Sequence, residues 1–122
     1  MTTVVLRRGD QLPDFEAPTV DGAHFRYADV WQHRNLVLIT TGLSSPSVVA
    51  YLSDLRDRVA ALKPDNSTVV AVQNVQALPA SSLIVGDRWG EIVFIAALSD
   101  DVARWPSSDD VLEWLEMVRQ RC

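Results

Sequence analysis

The chain has 122 residues, is 48% hydrophobic and carries a formal net charge of −5. That length suits one domain over residues 1–122 with an ordinary buried core. Its basic residues are scattered rather than grouped, which argues against a nucleic-acid or anionic-membrane partner, since phosphate neutralisation needs clustered Lys and Arg.

No apolar run approaches the roughly 20 residues that span a bilayer. The N-terminal residues lack a signal-peptide core, so a soluble, cytoplasmic protein is expected. One cysteine, Cys122, stands at the last position, which excludes an intrachain disulfide and any cysteine-rich metal site. His24 and His33 are nine residues apart and do not form a helical ligand pair, so no metal and no cofactor is expected.

Residues 3–6 read as a short edge strand. Gly9, Pro13, Pro18 and Gly22 then punctuate the chain, and the two prolines exclude a central strand or helix there. Asp21-Gly22 is a strong turn dipeptide and predicts a hairpin. One helical turn is expected at residues 28–34. The run at 35–41, "NLVLITT", is continuously apolar, as in a strand covered on both faces. From Ser47 to Leu62 the spacing of Val48, Tyr51, Leu52, Leu55, Val59 and Leu62 is helical. Ser45 suits the N-cap and Pro46 the first helical position.

Residues 67–73, "STVVAVQ", predict a second buried strand. An eight-residue connection, 74–81, leads to a third at 82–86, a turn at 87–90 and a fourth strand over 91–98. A polar loop precedes the last helix, which Ser107 caps and whose inner stripe is Val111, Trp114, Leu115 and Val118. The order β-hairpin, β-α-β, β-β-α predicts an α/β fold with a four-stranded mixed sheet flanked by helices.

Gly9-Asp10, Pro13-Asp14-Phe15 and Asp21-Gly22, in that order and spacing, resemble the opening of the peroxiredoxin and thiol-disulfide (AhpC/TSA, TlpA-like) branch of the thioredoxin-like superfamily. Asp87, Gly90 and Val93 resemble its closing hairpin. The resemblance spans nearly the whole chain and implies a thioredoxin-like fold. It also implies where redox chemistry would sit. The Trp-Cys-Gly-Pro-Cys loop falls on Leu43-Ser44-Ser45-Pro46-Ser47, with serine at both cysteine positions. The peroxiredoxin Thr-x-x-Cys falls on Thr41-Gly42-Leu43-Ser44, again ending in serine, and the proline expected ahead of that threonine is Val37. A serine hydroxyl cannot cycle between sulfenic acid and disulfide. Serine hydrolysis lacks support, because no Gly-x-Ser-x-Gly surrounds Ser44 and neither histidine is placed beside it by sequence.

The same resemblance implies a cis-proline just before the third core strand. Counting back from Asp87 puts that place near Ser81, or at Pro79 with a two-residue shift. The usual crossover helix between the second and third core strands has no room in residues 74–81. Eight residues extend to roughly 26 Å, and crossing one strand takes about 10 Å, so the connection closes without it. One sheet face then loses its usual cover. A second subunit or a protein partner, or local repacking by Trp31 or Trp89, is expected over it.

A redox-inactive binding or assembly module is therefore expected. The alternatives are a residual antioxidant oxidoreductase of the AhpC/TSA kind, with Cys122 its sole thiol, or a small anion or ligand held at a loop made of Thr40, Thr41, Ser44, Ser45, Pro46 and Ser81.

Overall fold

The computed structural model describes residues 5–42, 45–62 and 66–120. From residue 5 the backbone is irregular up to a small antiparallel hairpin, β1 (Glu16–Pro18) and β2 (His24–Arg26), followed by a 3-10 turn at Tyr27–Asp29. Then come β3 (Asn35–Thr41), α1 (Pro46–Ala60), β4 (Ser67–Gln73), β5 (Ser82–Gly86), β6 (Ile92–Ala97) and α2 (Ser108–Arg119). The four long strands make one sheet in the order β4-β3-β5-β6, parallel between β3 and β4 and antiparallel elsewhere. The apolar runs at 35–41 and 67–73 become strands with the predicted bounds. All seven residues of β3 are buried, as its central place between β4 and β5 requires.

The alternation of strand side chains splits the core in two. Val37, Ile39, Ala71, Leu83 and Val85 face α1 and α2, whose inner stripes are Val48, Leu52, Leu55 and Val59, and Val111, Leu115 and Val118. Ser45 caps α1, its hydroxyl accepting from Val48 N at 3.4 Å, and Pro46 stands at the helix start. Ser107 caps α2 through Asp110 N. Trp114 is half-buried and stacks on Phe94 of β6.

The opposite face corrects an expectation. It carries no helix, and residues 74–81 form none, yet Leu36, Leu38, Val70, Val72, Ile84 and Ile92 are buried there within the chain itself. The N-terminal segment covers them with Leu12, Phe15, Ala17 and Tyr27, and the 74–81 connection adds Leu78. The tryptophans are not part of that cover, because Trp31 and Trp89 are 41% and 52% exposed.

The N-terminal segment also reaches both sheet edges. Gly9 N donates to Ile92 O and Ile92 N to Asp10 O beside β6, while Val20 N donates to Ala71 O beside β4. Residues 5 and 6 form no strand, and the rest of the strand expected at 3–6 lies outside the described residues. The segment 99–108, expected as polar loop, contains a 3-10 turn at Val102–Arg104. It also holds buried Trp105, whose ring meets Tyr51 edge-on at 5.2 Å. No helix among the described residues is long and apolar enough to cross a membrane.

Candidate functional site

The C-terminal end of β3 leads into the start of α1, and the 74–81 connection passes over that end of the strand on its way from β4 to β5. β5 runs antiparallel to β3 and β4 parallel to it, so β4 ends and β5 begins at the same end of the sheet. That geometry lets eight residues replace a crossover helix.

Thr40 organises this end. Its side chain is fully buried, its Oγ1 donates to Pro79 O at 2.8 Å and accepts from Ser82 N at 2.9 Å. Asn74, the first residue past β4, accepts from Ser81 N at 3.1 Å through Oδ1. Its Nδ2 lies 3.3 Å from where a Cβ on Gly42 would sit, so the asparagine spans from the connection to the residue after β3. Ser81 O accepts from Leu98 N at 2.7 Å, and Ser82 Oγ donates to Ala80 O at 3.1 Å. The main-chain groups at Pro79 O, Ala80 O, Ser81 N, Ser81 O and Ser82 N are thus all satisfied from within the chain.

Ser81, the residue before β5, has φ of 48°. A proline ring fixes φ near −65°, so this position has a backbone that proline cannot adopt. Five main-chain groups at residues 79–82, leading into β5, are bonded within the chain.

Of the residues singled out by sequence, the structure brings Thr40, Pro79 and Ser81 into this network. Thr41 is buried behind it, paired with Gln73. Ser45 and Pro46 serve the helix cap, and Ser47 is exposed on the first turn of α1. Ser44 and Cys122 lie outside the described residues. Asn74 was missed by sequence reasoning; an asparagine directly after an apolar strand is a turn former, and that was its only signal.

The arrangement has limited chemistry. At the start of α1, Pro46 has no N–H to give and Val48 N is taken by Ser45, so Ser47 N alone is left of the first three donors. His33 precedes β3, at the far end of a seven-residue strand about 20 Å long, out of reach as a base for the turn. No group of three or more His, Cys, Asp or Glu among the described residues is placed to hold a metal ion.

No protein-family model matches the chain, and no curated protein matches its sequence. Solved structures do. A thiol:disulfide interchange protein of the thioredoxin family from Chlorobium tepidum superposes with a TM-score of 0.61 at 15% identity, over 93% of this chain and 99% of that one. A peroxiredoxin-like protein from Aquifex aeolicus gives 0.65 at 11% identity, over 93% and 88%. Mycobacterium bovis AhpC gives 0.66 at 12% identity, over 96% and 99%. The chain has the thioredoxin-like fold that thiol:disulfide interchange proteins and peroxiredoxins share.

Proposed function

We propose that this chain is a thioredoxin-like domain without thiol–disulfide or peroxidase chemistry, acting as a protein-binding or assembly module. The observation that carries the reading is the hydroxyl chemistry of the strand–helix turn. The aligned redox positions are Ser44 and Ser47, and the one cysteine is Cys122. The proteins it superposes on are named for redox activity, which depends on a thiolate at the head of this helix. A serine there has no accessible oxidation state to cycle.

The bonded edge at residues 79–82 supports the same reading from a second side, since Pro79 O, Ala80 O, Ser81 N, Ser81 O and Ser82 N already have partners within the chain. It also moves any partner surface away from the site at which thioredoxin-like enzymes receive their substrates.

The test is turnover by the purified chain and its Cys122→Ser variant in insulin-disulfide reduction and in hydroperoxide consumption. Both proteins are expected to give the blank rate. Turnover that survives Cys122→Ser refutes the reading outright, and turnover abolished by it reassigns the chemistry to Cys122.

A further inference from the structure

At the opposite end of β3 from Thr40, beside the turn that joins β5 to β6, a cleft of about 410 Å³ is lined by Gln11, Leu12, Asp14, Tyr27, Ala28 and Trp31. Nothing in the thioredoxin-like chemistry discussed above uses it. Its walls are fixed. Gln11 Nε2 donates to Trp89 O at 2.6 Å and Trp31 Nε1 donates to the same carbonyl at 3.3 Å, so one main-chain oxygen holds two lining side chains. Gly90, with φ of 85°, keeps the floor open, because a Cβ there would collide with Gln11 Nε2 and come within 2.7 Å of Tyr27 Oη.

The lining is an aromatic and aliphatic wall with a single charged group, Asp14. Among the described residues that carboxylate makes no hydrogen bond or ion pair. The Tyr27 hydroxyl is buried and has no hydrogen-bond partner. Burial first, then the negative charges of Asp87 and Asp14, push its pKa up to about 12. The hydroxyl therefore stays protonated in a field set by two carboxylates. In the adjacent turn, Arg88 already lies over the Trp89 ring, 5.1 Å from its centroid, which shows how a guanidinium rests on this kind of surface.

We propose that the cleft binds one alkyl-guanidinium or alkyl-ammonium group. Its stem lies along Leu12, Ala28 and the Trp31 ring, and its head rests on the Asp14 carboxylate. An anion is disfavoured by the same two carboxylates. A neutral apolar ligand would cover Asp14 without giving it a counter-charge, a desolvation cost with no return. A cation with an apolar stem matches wall and charge together, as in small-molecule sites where an apolar wall carries a few placed polar groups. The cleft stands apart from the strand–helix turn, so the inference does not depend on whether the chain turns over thiols.

The test is titration of the intact protein with N-acetyl-arginine amide, followed by tryptophan fluorescence and by the indole N–H resonances in NMR. N-acetyl-citrulline amide serves as the neutral, nearly isosteric control. Saturable binding is expected, with shifts centred on Trp31 and citrulline at least tenfold weaker, about 1.4 kcal/mol. Asp14→Asn should weaken the arginine ligand by a similar factor and leave citrulline unchanged. Equal binding of arginine and citrulline amides, no saturation, or indole shifts no larger at Trp31 than at the distant Trp105 and Trp114 would each overturn it. A short arginine-bearing peptide separates the sources of the group. Tighter binding than the free amide assigns the cleft to a partner's side chain, and equal binding assigns it to a free cationic metabolite.

Discussion

Thr40 shows how much one buried hydroxyl can decide. Its Oγ1 is donor to Pro79 O and acceptor from Ser82 N, tying the 74–81 connection to the central strand. Thr40→Val keeps the shape and strands both partners, one of them a main-chain N–H in a buried setting. The expected loss is about 1–3 kcal/mol in urea unfolding, with Thr40→Ser losing less because the bonds survive. If Thr40→Val unfolds with the wild-type midpoint and slope, the bridge is not holding this end of the fold. Sequence marked Thr40 as one hydroxyl of a candidate ligand-binding loop. It could not show that the partner is a carbonyl 39 positions later, since a hydroxyl's choice of acceptor depends on tertiary placement. The left-handed backbone of Ser81 was equally hidden, because serine carries no signal for positive φ as glycine does.

The elements divide into those whose burial is periodic and those whose burial is not. β3 and β4 were legible to the residue, α1 to within two residues and α2 at its start, because continuous apolar runs and 3.6-residue spacing report a covered strand and an amphipathic helix directly. The cover over the second sheet face was illegible. Leu12, Phe15 and Tyr27 follow no period, since they come from irregular backbone and a 3-10 turn, and each was placed by packing alone. Phe15 is the test of that cover. It is 5% exposed, stacks on Tyr27 with centroids 5.5 Å apart and meets Phe25 at 5.8 Å. Phe15→Ala is expected to cost about 3–5 kcal/mol and to expose the sheet face to a hydrophobic dye before global unfolding. A cost under about 1 kcal/mol would mean that the N-terminal segment lies on the sheet without stabilising it, and would reopen the case for a partner there.

At the scale of the whole molecule, two tyrosines make the fold alkali-sensitive. Burial raises Tyr27 and Tyr51 to about 12, with Asp87 and Asp14 adding to the first, Asp110 and Asp54 to the second. An unfolded tyrosine titrates near 10. The native state therefore holds these protons more tightly, so the stabilisation is whole below about pH 10 and is lost as pH rises toward 12. Tyr51→Phe should flatten that fall but weaken the protein near neutrality by about 0.5–1.5 kcal/mol, since the Tyr51 hydroxyl donates to Pro106 O at 2.8 Å. Tyr27→Phe removes a hydroxyl with no partner, and should flatten the alkaline fall with no loss at pH 7. Chemical unfolding at pH 7 and across pH 10–12 separates the two.

The redox question is also one for the whole molecule, because the helix start comes from one part of the chain and the closed edge from another. Ser44→Cys with Ser47→Cys, on a Cys122→Ser background, restores the spacing of the dithiol motif at the head of α1. The pair is expected to oxidise to an intramolecular disulfide, read as a loss of two hydrogens by mass spectrometry and of free thiol by titration. Insulin reduction is nonetheless expected to stay far below that of a thioredoxin. Ser82 N belongs to Thr40 and Ser81 N to Asn74, so an incoming disulfide must compete for these groups with bonds the chain already makes. Failure to form the disulfide would undo the placement of Ser44 and Ser47 on the redox pair. Brisk insulin turnover would show that the edge opens for substrate, and that cysteine alone was missing.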